Sequence, residues 1–416
     1  MFRIPNWLRW HAAALGLLAA GPGCGGGAPT VPIPGLQALP PVDSATAGSL
    51  SVHLVKDGLG TGLDQLNLAF AGLEVRAAGV WRPVPLDPQP GPVDLLAFAT
   101  GSPLALATGV PWPQGTSDAV RFTLGPGATV LFSGEGEPVE LAVPAQFASG
   151  LGPPGSFTLA PGGAVDLWLA FGVDGVVQVR QADPEDPATR TCTFVPGPVR
   201  GYDRAATGFI SGRVAATAPD GTVTGLAGAV VTAQLQVPGG PQAGAGTFRT
   251  TQADADGRFT LDLLPEGAAY TWTAVSQASP AYRGAVGSPA RALGDAPPYY
   301  NTFSCLVSPG PALATGTLGG TVAAPPGPGQ SARVDLVAQV QADPAQPAFC
   351  PFVAASAPVG SDGTFTFAPG GPGLPAGIYG AVLHRLSLGP DLFQVDATQT
   401  APPFLLTAGA DLRLAF

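Results

Sequence analysis

Four cysteines, three histidines and a few clustered acids are the residues of this 416-residue chain best suited to chemistry, and their spacing argues against most of it. No two histidines stand at zinc-ligand spacing and no C-x-x-C occurs, so no metal site is expected. His53 alternates with the apolar positions of its segment, and His384 precedes Arg385 in GAVLHRLSL; both read as strand residues that face solvent or are partly buried. No serine lies in a G-x-S-x-G elbow. A phosphate loop ends in Gly-Lys, and the only lysine, Lys56, follows Val55. A Ser/His/Asp set assembled by the fold stays open, with no motif pointing to one. Asp254-Ala255-Asp256-Gly257 looks like the start of a calcium loop. Counted from Asp254, however, the fifth and twelfth positions are Arg258 and Pro265, where oxygen ligands belong, so it reads as a hairpin turn. Acid pairs can cleave glycosides. Asp183, Glu185 and Asp186 fall in DPEDPATR, which reads as an exposed loop; Asp94 and Asp166 are the acids to test. No cofactor is expected.

Exposed aromatics can stack on sugar rings. Trp112 lies in Pro111-Trp112-Pro113, which reads as a loop. Trp168 is out of phase with Val165, Leu167, Leu169 and Phe171 and should face away from their core. Tyr299 and Tyr300 form another loop pair. These four are the candidate ligand-facing aromatics. The alternative for each is cover by a neighbouring domain or a second core layer.

One cysteine is placed for covalent modification. Residues 1–11 carry Arg3 and Arg9 and no acid, and Ala12 to Ala20 is an unbroken small, apolar run. That run is too short to span a bilayer, which takes about 20 residues; it reads as a secretory signal. Cys24 follows Gly21-Pro22-Gly23 and precedes Gly25-Gly26-Gly27. The stretch resembles a bacterial lipoprotein signal, with Gly21 where such signals usually carry Leu. The resemblance implies a signal over 1–23, lipidation of Cys24 and membrane attachment through that lipid. Each buried methylene adds about 0.8 kcal/mol. Gly25, rather than Asp, favours the outer membrane. The alternative is cleavage after Gly21 and secretion. Of the remaining cysteines, Cys305 and Cys350 are the candidate disulfide. The alternative is that Cys192, Cys305 and Cys350 are all buried small hydrophobes.

Removing Arg3 and Arg9 from the 18 basic residues leaves 16 against 28 acidic, a net charge of −12. That argues against nucleic acid as a partner, and reads otherwise as charge that keeps an apolar-rich protein soluble; as a binding module the chain is expected to meet envelope glycan or a surface protein. Hydrophobic residues make up 45% and charged residues 11%, the reverse of a disordered composition. Apolar runs punctuated by 59 Gly and 48 Pro predict short strands and turns, hence an all-β chain of tandem β-sandwich domains. Residues 24–47 read as a Gly/Pro-rich tether. Strands are expected at Leu50/Val52/Leu54, at Leu66/Leu68/Phe70 continuing to Val75, at Val93–Leu96, at Ala119–Leu124, at Val139–Val143 and at Val165–Phe171. Asp174-Gly175 should give a hairpin turn from the last into Val176–Val179.

The order of these segments, from GSLSV through LNLAFAGLEVRAAGVWRPV and VDLLAFATG to DLWLAFGVDGVVQVR, resembles a bacterial envelope family known only as domain of unknown function 4382, here over 48–205. The family implies a location and a fold but no activity. Beyond it the chain repeats. Asp256-Gly257-Arg258-Phe259 parallels Asp362-Gly363-Thr364-Phe365, and Leu264-Pro265-Glu266-Gly267 with Tyr270 parallels Leu374-Pro375-Ala376-Gly377 with Tyr379, at an offset near 108 residues. This resembles prealbumin-like carboxypeptidase regulatory domains and adhesin stalk domains, immunoglobulin-like in outline, at 207–314 and 315–416. Stalk domains often carry a Lys–Asn crosslink; Lys56 lies outside both repeats. Taken together, these readings point to a non-enzymatic envelope lipoprotein acting as a binding or spacer module. The alternatives are an enzyme acting on extracellular glycan and a secreted matrix protein.

Overall fold

The computed structural model describes residues 47–416 apart from 61, 90, 100, 146–149, 182–189, 198, 218–219, 236–246, 267–268, 276–284, 292–299, 307–314, 328–329, 342–348, 368–373, 376, 389–392 and 408–410; parts of some strands are described by backbone alone. The leader, Cys24, the tether to residue 46, Asp183, Glu185, Asp186 and Tyr299 lie outside the described residues. Tyr300, Cys305 and Cys350 are placed in strands by backbone only.

The protein is all-β, as its composition predicts. In the first sandwich, one sheet runs Val199–Asp203, Ala164–Gly172, Gly48–Asp57, Leu104–Trp112. A second runs Pro154–Leu159, Gly115–Leu124, Phe70–Ala77, Val80–Val84. A third, six-stranded sheet runs Val177–Gln181, Arg190–Phe194, Val139–Ala142, Thr129–Phe132, Leu63–Leu68, Val93–Asp94. Strand alternation sends Leu50, Val52 and Leu54 into the core with Val75, Val120 and Phe122, all essentially without solvent contact. Phe122 sits 5.4 Å from Phe70 and 6.0 Å from Phe171. Each such buried side chain contributes about 1.5–3 kcal/mol.

Two predicted strands differ. The run from Leu66 to Val75 is not one strand: at Ala69 the chain leaves the six-stranded sheet and enters the second. Side-chain alternation survives such a switch, which is why the sequence pattern missed it. Val93–Leu96 is extended only to Asp94. Its carboxylate accepts Leu96 N–H at 3.0 Å and caps a 3-10 turn over Leu95–Ala97.

The two repeats share one pairing pattern. In the first, Thr207–Thr217 lies between Val223–Gly225 and Arg258–Pro265, with Tyr300–Leu306 parallel to it. In the second, Thr315–Thr321 pairs with Thr364–Thr366 and Leu374–Pro375, with Asp411–Ala415 parallel to it. The facing sheets run Thr247–Gln252, Val230–Leu235, Ala269–Val275, Ala285–Arg291 and, correspondingly, Phe349–Pro358, Gln330–Gln341, Gly377–Leu388, Phe393–Leu406. Asp256-Gly257 and Asp362-Gly363 are tight turns, with glycine φ of 77° and 80°. At Gly257 a Cβ would lie 2.2 Å from the Val214 carbonyl oxygen, so no other residue fits. Phe259 and Phe365 point into their cores, and the Tyr270 hydroxyl donates to the Pro265 carbonyl at 3.2 Å.

Candidate functional site

Of the candidate aromatics, Trp112 and Trp168 are covered. Trp112 is not in a loop: it ends the strand Leu104–Trp112, is 4% exposed, and donates from Nε1 to Ser117 Oγ at 3.2 Å. Flanking prolines suggested a loop, but Pro111 sits opposite Ser49 on a strand pairing that tolerates it. Trp168 does face away from the first core, as its phase predicts. It is nevertheless buried, in a separate cluster with Val55, Ala170, Tyr202 and Leu263. Leu263 belongs to the second sandwich, so the cover is a neighbouring domain.

That cover is built by strand geometry. On the strand Gly48–Asp57, Val55 and Asp57 point outward, opposite to Leu54. Beside them, Trp168 pairs with Tyr202 and Ala170 with Arg200. Leu263 reaches this face from Arg258–Pro265 with φ of +53° and no solvent exposure. A left-handed leucine costs about 1–2 kcal/mol, less than the roughly 1.5–3 kcal/mol its burial contributes. Burial pushes the Tyr202 hydroxyl up to about 12, so it stays protonated.

A chain of charges closes the same interface. Arg200 reaches Asp57 at 3.0 Å, and Arg249 of the second sandwich reaches the other oxygen of Asp57 at 3.3 Å. Arg249 also lies 3.6 Å from the Asp262 carboxylate and donates to the Asp262 carbonyl at 3.1 Å. Arg249 and Asp57 are both buried. Two arginines meet two aspartates, so no net charge is left in the site.

A second cluster sits on the third sandwich. Neighbouring strands bring Arg333, Asp335, Ser356 and His384 onto one face. Asp335 accepts from the Ser356 hydroxyl at 2.7 Å and lies 3.1 Å from His384 Nε2 and 2.9 Å from Arg333 Nε. Burial opposes its ionisation, but the Arg333 charge, the His384 bond and charge, and the Ser356 hydroxyl together hold its carboxyl well below the ordinary range. Here the fold does assemble a serine, a histidine and an aspartate. The order is wrong for acyl transfer: the serine bonds to the carboxylate rather than to the imidazole, so no base activates it. Asp174, in the turn facing this domain, behaves oppositely. Burial pushes its carboxyl up, although Leu59 and Gly60 N–H groups donate to it at 3.1 and 2.8 Å. A Cβ on the next residue, Gly175, would stand 3.3 Å from Ser356.

The other sequence candidates are kept apart. Asp94 caps its turn and also accepts Leu66 N–H at 3.0 Å, while Asp166 lies on a different sheet, 3.2 Å from His53 Nε2. Among the described residues no three His, Cys, Asp or Glu converge as metal ligands, and no helix is long and apolar enough to cross a membrane. The Cys192 thiol is buried and pushed up by that burial.

Sequence reasoning missed both charge clusters. Only Asp335, an acid between Val334 and Leu336, carried a signal of burial.

Residues 47–184 match the family described as Domain of unknown function (DUF4382). Such a domain therefore occupies the front of the described chain. The sheets continue two strands further, through Arg190–Phe194 and Val199–Asp203. No curated protein matches. Among solved structures, the chain is similar to the Bacillus anthracis TIE protein at 10% identity, over 89% of this chain and 50% of that one, with a TM-score of 0.19. A streptococcal ancillary pilin matches at 10% identity, over 88% and 98%, with a TM-score of 0.16. A leucine-rich repeat protein from Bacteroides thetaiotaomicron matches at 12%, over 50% and 26%, at 0.20. The chain spans half the length of the first of these.

Proposed function

We propose that this chain is a non-enzymatic, lipid-anchored envelope protein in which successive sandwiches form a binding or spacer module. The observation that carries the reading is the Arg200–Asp57–Arg249–Asp262 chain, with Asp57 and Arg249 buried, which ties the first sandwich to the second. Charges taken out of water at a domain boundary hold two domains in one arrangement, because separating them would strand or rehydrate each ion. A spacer needs that; a hinged enzyme does not. The Ser356–Asp335–His384 order supports the same reading, since it positions side chains without activating one.

The anchor is the part of the proposal that rests on Cys24, and it places the protein at the outer membrane. Palmitate labelling of the expressed protein beside a Cys24→Ala variant tests it. Label on the wild type alone is expected. No label on either would replace the anchor with ordinary secretion and leave the module unattached. Turnover of any member of a glycan panel, lost in Asp94→Asn or Asp166→Asn, would overturn the non-enzymatic reading.

A further inference from the structure

The unpaired N–H and C=O groups of an edge strand can capture another strand, and this chain closes most of its edges. Val80–Val84 carries Pro83, Pro154–Leu159 opens on proline, Ala285–Arg291 carries Pro289, and Phe349–Pro358 carries Pro351 and Pro358. At the edge Leu104–Trp112, the Leu106 carbonyl accepts Asp87 N–H at 2.8 Å and the Ala105 carbonyl accepts the Gln89 side-chain amide at 2.9 Å. Val177–Gln181 and Thr247–Gln252 meet neighbouring sandwiches through Arg180 and Arg249.

Phe393–Leu406, the outer strand of a sheet in the third sandwich, is the longest edge strand, at 14 residues. Its strand partner among the described residues is Gly377–Leu388 alone. Two register breaks interrupt that pairing, one beside Asp396 and one at Pro402-Pro403. Between them, residues 397–401 pair in regular register with 381–385. Thr398, Gln399 and Thr400 are all exposed. Successive strand residues face opposite sides, so both sides of this edge are open to solvent. The segment is uncharged, and Ala397-Thr398-Gln399-Thr400-Ala401 reads the same in both directions.

We infer that this segment pairs with the same segment of a second copy of the chain, antiparallel about a two-fold axis at Gln399. The palindrome makes the pairing self-complementary, as a two-fold interface requires. Thr398 lies opposite Thr400 of the second copy, Ala397 opposite Ala401, and Gln399 opposite its counterpart. Threonine pairs of this kind favour a ladder. Acids do not oppose one another. Asp396 falls opposite Pro402, and the two Asp396 residues stand about 20 Å apart along the ladder at roughly 3.4 Å per residue, further than the ~10 Å Debye length of ordinary buffers. A chain with a net charge of −10 can therefore meet itself here. Pro402, without an N–H, ends the ladder. A contact this short makes a reversible dimer rather than an obligate one. The inference goes beyond the proposed module and does not use the anchor.

Sedimentation velocity tests it on the full chain carrying Cys24→Ala, in which no lipid at residue 24 can drive association. The sedimentation coefficient is expected to rise with protein concentration towards that of a dimer. Gln399→Lys sets two like charges opposite each other at the exposed centre of the pair. It should abolish the rise and leave the unfolding midpoint unchanged. Register is read separately by oxidation. Gln399→Cys should form a covalent dimer above the background of the chain's own cysteines, because directly opposite Cβ atoms lie about 4.5–5.5 Å apart. Leu405→Cys, on the same strand and 62% exposed, should not. A sedimentation coefficient constant with concentration, a rise that survives Gln399→Lys, or equal crosslinking at residues 399 and 405 would each overturn the inference.

Discussion

The two repeats are built on one plan and meet the first sandwich in different ways. The first repeat carries Leu263 just before its Leu264-Pro265 corner; the second has Gly373 before Leu374-Pro375. Leucine gives the first repeat an apolar knob against Trp168, and Arg249 adds a buried ion pair beside it. The corresponding glycine offers no side chain to dock. The second repeat instead meets the first sandwich at the Asp174–Gly175 turn, beside Ser356, and through Arg180, which donates to Ser361 at 2.9 Å and lies 3.9 Å from Asp362. About half of each charged side chain there is exposed. One plan therefore yields a joint with a buried ion pair and a joint whose charged contact is half-exposed.

Breaking the joint with the first repeat should cost most. Arg249→Ala breaks the buried pair with Asp57, leaving Asp57 to Arg200 alone and Asp262 without its ion partner, and should lose about 3–5 kcal/mol in urea unfolding of the full chain. Leu263→Ala should cost about 2–5 kcal/mol, as a core truncation does. It should also shift Trp168 fluorescence to the red, which Arg249→Ala should do less.

The third sandwich is sharpened by pH. Asp335 has a depressed folded value, so its contribution is complete above about pH 4 and is lost as pH falls through that folded value. Asp335→Asn should cost about 1–3 kcal/mol at pH 7 and flatten the acid limb of the stability curve. Asp174 has the opposite sign. Its folded value is raised, so ionisation opposes folding, and stability gains as pH falls through it. Asp174→Asn should therefore keep or raise stability at pH 7. The smallest effect is expected at the half-exposed Arg180 contact: Arg180→Ala should change stability by less than about 1 kcal/mol, and added salt should erase the difference.

Much of the fold is legible in the sequence, because alternation and Asp-Gly turns are local. Val165 to Phe171 and the two repeats need only period and turn chemistry; Asp174-Gly175 turns the chain but makes no hairpin, because Ala164–Gly172 and Val177–Gln181 lie in different sheets. The switch at Ala69 is not legible, since inward and outward positions keep their phase through it. The outward phase of Trp168 can be read; its cover by Leu263, 95 positions away, cannot. The charge chain is harder still. Asp57, Arg200, Arg249 and Asp262 are ordinary surface residues until two sandwiches bring them together, and nothing in their neighbours marks them for burial.

The central claim is that the first two sandwiches act as one unit through their shared face. Scanning calorimetry of the full chain beside the Arg249→Ala, Leu263→Ala double variant tests it most directly. The account predicts that the wild type unfolds these two domains in a single transition, and that the double variant splits it into two. Two separate transitions already present in the wild type, at temperatures unchanged in the variant, would contradict it.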